Sequence, residues 1–358
     1  MWKSLKDRAE GVKEMKRMKT TEAVGQVLCR DITQIIPGVT KDAVFRKGHI
    51  IREEDIPVLL SVGKDSVYIW ENDETMMHEN DAAEVLYRMT ANEHMHPSDV
   101  KEGKIEAIAD TEGLLKVDRE KLKKVNAFGE MMIATRHGNT VVKKGDKLAG
   151  TRIIPLVIKK DKMQEAEKIC DGTPILKILP FTVKKAAIIT TGNEVYHGRI
   201  KDAFTPVIEQ KIAEFGAEMM FHEIFDDNDR KITDGCLRAI EAGADIVFCT
   251  GGMSVDPDDK TPLAIKNTGA EMISYGSPVL PGAMFLLSYY RKGDKVIPIC
   301  GLPGCAMYNR RTIFDLVLPR LMAADPVTAD ELASLGEGGL CLNCKVCTFP
   351  NCGFGKGW

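Results

Sequence analysis

The 358-residue sequence lacks any apolar stretch approaching the ~20 residues that cross a bilayer. Its longest lies near Met284 to Leu287. It also lacks a dominant charge, with 49 basic residues against 52 acidic and a net charge of −3. No long-range field therefore draws the molecule to nucleic acid or an anionic membrane, and an anionic ligand has to be held by local groups. The first twenty residues, MWKSLKDRAEGVKEMKRMKT, are basic but have neither the apolar segment of a secretory signal nor a broad apolar face. They read as a solvated basic helix or frayed tail, and the protein is expected in the cytoplasm. A disulfide framework is missing as well. Six of the ten cysteines are dispersed, and Cys29, Cys170, Cys236, Cys249 and Cys300 sit in or beside apolar segments where a reduced thiol packs as a small hydrophobe.

Residues 21–160 contain short β-like runs, AVGQVL, DSVYIW, EMMIATR, NTVVKKG and RIIPLVI, separated by Gly, Asn and Asp. One helical stretch, Asp81 to Thr90, interrupts them, and turns are expected at Pro37-Gly38 and His96-Pro97. The segment reads as one or two small β-rich modules. His78, His94 and His96 are read as solvated loop histidines rather than metal ligands.

A linker helix and turn are expected over 161–184, after which strands alternate with helices. Strands are predicted over Lys185 to Thr191, Ala217 to Phe225, Ala244 to Thr250 and Val296 to Cys300. Helices are predicted over Phe204 to Phe215, Asp229 to Ala242, from a side-chain-capped start at Thr261-Pro262, and over Cys305 to Met322. Parallel strands need helical crossovers, so residues 185–325 are predicted to form a three-layer α/β domain with a largely parallel sheet, behind a β-rich N-terminal region. Ligands in such a domain lie beyond the carboxyl ends of the strands.

Three strand ends run into glycine loops: Thr190-Thr191-Gly192-Asn193-Glu194, Thr250-Gly251-Gly252-Met253-Ser254 and Gly301-Leu302-Pro303-Gly304. Glycine leaves backbone N–H groups open to a phosphate, and each loop leads toward a helix N-terminus, which favours anions. Glu194, Asp226, Asp227, Asp256, Asp258 and Asp259 lie among these loops. Carboxylates repel an anionic ligand unless a divalent cation, here Mg²⁺, bridges the charges, although Asp256 and Asp258 also suit helix capping.

At these loops the sequence resembles the molybdopterin-binding family that includes MogA, MoeA and the gephyrin domains. TTGNEV at 190–195, Asp226-Asp227, the T-G-G-x-S-x-x-P-x-D-x-T-P pattern over Thr250 to Pro262 and GLPG at 301–304 carry the likeness. The resemblance implies that Thr191, Gly192, Thr250, Gly251, Gly252, Ser254, Gly301, Pro303 and Gly304 hold molybdopterin or its adenylated form. It further implies that Glu194, Asp259 and one of Asp226 and Asp227 organise the metal or molybdate. The S-x-M-D-G-Y-A segment of the transferase branch has no counterpart before Lys185, and the L-P-G-N-P loop of that branch here ends Gly304-Cys305-Ala306. An adenylating or molybdenum-inserting enzyme, a non-catalytic carrier or sensor, and a nucleotide hydrolase like the CinA competence family therefore stay open. The partner would be a molybdoenzyme or another cofactor-assembly protein, with a homo-oligomer left open.

The last part of the chain, 326–358, holds Cys341, Cys344, Cys347 and Cys352. Their spacing resembles bacterial ferredoxin ligation and also suits tetrahedral Zn²⁺, so a [4Fe–4S] cluster or zinc is expected there. Glycines surround the cysteines, and the tail is expected to have little structure until metal folds it.

Overall fold

The computed structural model describes residues 16–36, 40–69 and 73–357. The expected turn at Pro37-Gly38 and all but the end of the expected N-terminal helix lie outside the described residues.

The N-terminal half is β-rich and carries two hydrophobic clusters. The smaller gathers Leu28, Ile51, Leu59, Val67 and Ile69. The larger surrounds a helix, Glu79–Thr90, whose Ala82, Leu86 and Met89 face a four-stranded antiparallel sheet that includes Lys104–Ala109, Lys147–Ile153 and Met131–Thr135.

Several local expectations change. Ala23 to Leu28 forms only single bridges from Val27 and Leu28 rather than a strand. His96 and Pro97 belong to a strand, Met95–Pro97, not a turn. Further helices occur at Ile56–Ser61 and Arg119–Ala127. His78 is buried rather than solvated. Its Nδ1 accepts from the Asn80 N–H to cap the Glu79–Thr90 helix, and its Nε2 lies 2.7 Å from the Cys29 carbonyl. The helix expected as a linker, Lys160–Cys170, buries Met163, Ala166 and Cys170 in the larger cluster, so it is part of that module's core.

The α/β domain comprises β1 (Lys185–Thr191), α1 (Phe204–Ala213), β2 (Glu218–Phe225), α2 (Asp229–Glu241), β3 (Ile246–Thr250), α3 (Thr261–Asn267), β4 (Glu271–Tyr275), β5 (Leu286–Lys292), β6 (Lys295–Leu302) and α4 (Ile313–Met322), followed by α5 (Ala329–Ser334). The sheet order is β2-β1-β3-β6-β5-β4. The first four strands are parallel, and β5 and β4 are antiparallel.

The layers follow from alternation along strands buried on both faces. Ala186, Ile188, Ile246 and Phe248 meet α1 and α4 on one side. Ala187, Ile189, Val247 and Cys249 meet α2 and α3 on the other. Phe248 and Phe314 pack edge to face at 5.3 Å, and burying each such ring stabilises the domain by about 1.5–3 kcal/mol.

The helix expected from Cys305 to Met322 is interrupted. A 3₁₀ turn, Gly304–Met307, gives way to irregular chain, and α4 begins afresh at a capping box in which Thr312 and Asp315 satisfy each other's backbone N–H.

The cysteine segment after Leu335 forms turns and bends with no helix or strand among its described residues. Capped α5 and the buried Leu332 and Phe354 pack it onto the domain core. No helix among the described residues is long and apolar enough to cross a membrane.

Candidate functional site

Parallel register places the strand ends together. Thr191 pairs with Phe225, Thr190 with Thr250, and Thr250 with Leu302. The loops after β1, β3 and β6 and the Asp226-Asp227 pair after β2 therefore emerge at one edge of the sheet, where this architecture places ligands.

The glycines at this edge have different reasons to be glycine. Gly251 and Gly252 adopt positive φ of +83° and +54°. A Cβ on Gly251 would sit 2.1 Å from the Thr191 carbonyl oxygen, and one on Gly252 would sit 2.8 Å from Thr261 Oγ1. These two let the β3 loop fold against β1.

Thr191 and Thr261 fasten that loop. Their hydroxyls are 3.0 Å apart, the Thr191 hydroxyl donates to the Thr250 carbonyl, and the Thr261 N–H donates to the Gly252 carbonyl. Thr261 was expected to belong to a side-chain-capped helix start. Instead Lys260 occupies the cap position without a side-chain bond, and the Thr261 hydroxyl stitches the loop to β1.

Gly301 is buried within β6, and the space a Cβ would need is filled by Met253. Pro303 is buried too. Gly304 alone of that loop is exposed, with nothing near its missing Cβ. Gly192 (φ +133°) lies against the Glu194 carboxylate, and Ser254 is exposed. The Tyr275 hydroxyl donates to the Met253 carbonyl at 3.0 Å and to that of Ser254 at 3.3 Å, holding the β3 loop from β4.

The structure separates the two aspartates after β2. Asp226 Oδ2 accepts from Lys231 at 2.8 Å, while its buried Oδ1 has no partner among the described residues. Asp227 Oδ2 accepts from the Asn193 N–H at 3.1 Å. Burial, with the nearby charges of Glu194, Asp259 and Asp258, raises the Asp227 carboxyl above the usual carboxylate range against the opposing Asn193 hydrogen bond. Asp227, rather than Asp226, therefore shares an acidic field with Glu194 and Asp259. Among the described residues no three acidic, histidine or cysteine side chains are gathered closely enough to hold a metal. These carboxylates are the hard oxygen donors Mg²⁺ takes but do not form a preassembled cage. The Thr250 hydroxyl is also buried without a partner among the described residues.

Sequence reasoning missed a neighbouring polar cluster. Asp202 Oδ2 accepts from the Thr205 hydroxyl at 2.6 Å and the Thr190 hydroxyl at 2.9 Å. Its Oδ1 accepts from the Phe204 and Thr205 N–H groups at the start of α1. His222 Nε2 stands 3.4 Å from Asp202. An aspartate two residues before an expected helix was the available signal. Burial works to raise the Asp202 carboxyl, but these hydrogen bonds outweigh it and hold the group below its ordinary range. Its contribution to stability is thus full above the ordinary value of about 3.9 and lost as pH falls through the lower folded value. Asp202→Asn is expected to cost about 1–3 kcal/mol at pH 7. Denaturant titrations across pH should show the gap from wild type closing in that acidic window.

The tail cysteines are not brought together. Cys341 and Cys352 are half-buried against the core, and Cys344 and Cys347 are exposed. Among the described residues no three of these thiols gather at one point where a metal could sit.

Comparison with known proteins places these observations in context. Residues 187–323 match the family described as "Probable molybdopterin binding domain", and residues 17–71 match one described as a domain of unknown function. A "Putative competence-damage inducible protein" of Bacillus cereus (strain B4264) is 30% identical over 129 residues, 36% of this chain and 30% of that protein. Its Bacillus subtilis (strain 168) counterpart is 32% identical over 85 residues, 24% of this chain and 20% of that protein. The chain thus spans under a third of the length of these curated relatives. Among solved structures, the tungsten cofactor synthesizing protein MoaB from Pyrococcus furiosus has 20% identity and a TM-score of 0.32, covering 39% of this chain and 89% of its own. The protein CinA from Thermoplasma acidophilum, described as of unknown function, has 19% identity and a TM-score of 0.29, covering 35% of this chain and 92% of its own.

Proposed function

We propose, from the match of residues 187–323 to the probable molybdopterin binding domain, that this chain binds molybdopterin or its adenylated form at the loops after β1, β3 and β6, in the assembly or delivery of molybdenum cofactor. The observation that carries the reading is the shared register of Thr191, Thr250 and Leu302, which brings those loops to one edge beside Asp227. Gly304, with open space beside its missing Cβ, and the exposed Ser254 are the loop residues proposed to meet the ligand; Gly251, Gly252 and Gly301 act by letting the loops pack.

Asp227, Glu194 and Asp259 are proposed to receive Mg²⁺ together with the ligand. The cation would neutralise phosphate and carboxylate charge at once. An adenylyl-transfer or molybdenum-insertion role rests on that cation, whereas a carrier needs only the binding loops.

Asp227 supplies the test. Its ionised form is disfavoured in the fold, so its ionisation costs stability as pH rises above the ordinary carboxylate value. Asp227→Asn is expected to raise the ligand-free unfolding midpoint at pH 7 while losing most of the gain that Mg²⁺ plus molybdopterin gives wild type. Thermal unfolding with and without both additions measures this. A variant that is less stable alone, or that gains as much as wild type, counts against the cation site.

The similarity to competence-damage inducible proteins favours a second reading, a nucleotide-cleaving hydrolase using the same loops. Release of product from pyridine nucleotides, without molybdopterin affinity, would select it.

A further inference from the structure

We propose that the junction between the β-rich module, α4 and the C-terminal loop binds a small molecule bearing a phosphate-type oxyanion, with the anion seated among Arg136, His137 and Lys356.

Two hollows meet there. The larger, about 770 Å³, lies between the module, α4 and the tail, within the roughly 300–1,000 Å³ typical of small-molecule sites. The smaller, about 350 Å³, adjoins it, and His137, Thr140, Val141, Pro350 and Lys356 line both. Their chemistry differs. The larger is lined in part by the rings of Phe215, Phe349 and Phe354, of which Phe349 is half-buried and the other two are buried. The smaller is lined by the cationic Arg136 and Lys356 and by the imidazole of His137, with no carboxylate among its lining residues.

Seven carboxylates line the larger cleft, and three of them meet a neighbouring cation, Asp118 through Lys121 at 3.9 Å. Asp315 is held by Lys211 and Arg311, and Glu331 by Arg320. Lys356 differs from them. It is half-buried, its ammonium has no hydrogen bond or ion pair among the described residues, and burial, aided by Arg136 and opposed by Cys352, pushes its pKa down. A cation taken from water without a counter-ion is costly, and an anion from solution relieves that cost.

Arg136 meets Asp146 at 2.7 Å through Nη1, and a guanidinium has further donors to offer. His137 Nδ1 donates to the Gly138 carbonyl at 2.9 Å, so Nε2 can donate to an oxyanion when the ring carries both protons. An oxyanion in the smaller hollow with its body against Phe349 and Pro350 would satisfy both halves of the cleft.

The test is calorimetric titration of the full chain with inorganic phosphate and, separately, with adenosine monophosphate at low ionic strength. Phosphate is expected to bind wild type and to weaken about tenfold or more in Lys356→Gln and Arg136→Gln, as loss of a charge-assisted hydrogen bond does. Asn351→Asp adds a carboxylate at an exposed wall residue and should weaken binding similarly even if a cation variant fails to fold. The monophosphate should bind at least as tightly as phosphate. Binding of phosphate alone would overturn the small-molecule reading in favour of a free ion. No binding to wild type, or binding unchanged in all three variants, overturns the site. Binding that survives them but is lost in Asp227→Asn places the anion at the strand-end loops instead and also overturns it.

Discussion

Gly251→Ala is expected to destabilise the α/β domain by about 3–5 kcal/mol, which combines the strain of a side chain at positive φ with overpacking. The new Cβ would lie 2.1 Å from the Thr191 carbonyl oxygen and 2.9 Å from its hydroxyl, at a residue with φ +83°. Neither contact is the far end of a flexible side chain. Thr191 closes β1 between two parallel neighbours, so its carbonyl cannot retreat without disturbing the register that positions the loops. Whole domains are stable by only about 5–15 kcal/mol, so unfolding followed by circular dichroism should show an early transition or none. Gly304→Ala is the contrast. Nothing lies within 4 Å of its missing Cβ, so the fold should hold while ligand affinity falls. If Gly251→Ala unfolds with the wild-type midpoint, the close approach of the β3 loop to β1 is wrong.

That contrast bears on how such loops are read. A glycine loop at a strand end suggests room for a phosphate, yet at Gly251, Gly252 and Gly301 the missing Cβ is occupied by Thr191, Thr261 and Met253. The T-G-G and T-P halves of the pattern depend on each other because the Thr261 hydroxyl reaches back to Thr191. A β-branched residue at Gly252 would therefore disturb the fold along with any ligand, so ligand loss in such a variant would not isolate binding.

The parallel core was legible because its strands are buried on both faces. Lys185–Thr191 reads as one apolar run between charged residues, and helices closing at Gly216 and Gly243 separate the next strands. The antiparallel edge, β4 and β5, was not read. Glu271–Tyr275 mixes polar and apolar residues on a half-exposed strand, and Leu286–Lys292 follows no clean alternation. The end of the apparent helix from Cys305 was readable in principle, since Thr312 and Asp315 have capping-box spacing, but the apolar run after them masked the break. At the site, sequence supplied the loops and the acidic residues. Choosing Asp227 over Asp226 required the neighbours, because adjacent aspartates differ here only in that Lys231 claims one and the Asn193 N–H meets the other.

Phe354→Ala is expected to cost about 3–5 kcal/mol, the usual range for emptying a buried phenylalanine site. Removal of metal by a chelator should leave the unfolding midpoint where it was. Phe354 is 5% exposed and belongs to the cluster that contains Phe248, Phe314 and Leu318. The chain around it is held by backbone and packing. Leu280 and Leu340 form a bridge, the Cys341 N–H donates to the Leu280 carbonyl at 2.8 Å, and the Gly355 N–H donates to the Gly338 carbonyl at 3.0 Å. A Cβ on Gly355 would run into Leu316, and Arg311 lies 4.8 Å over the Phe349 ring. These contacts order the tail without recruiting its thiols, two of which face solvent. Truncation after Leu335 should therefore destabilise the domain as much as Phe354→Ala or more, because it strips the cover from α4 as well. Replacing the exposed Cys344 and Cys347 with serine should change little. The decisive comparison is iron and zinc content and unfolding midpoint for the full chain, the truncated chain and the double serine variant, prepared without air. Stoichiometric metal in the full chain, together with a midpoint that falls on chelation and in the serine variant, would mean that the cysteines converge on a metal and that packing alone does not hold the tail.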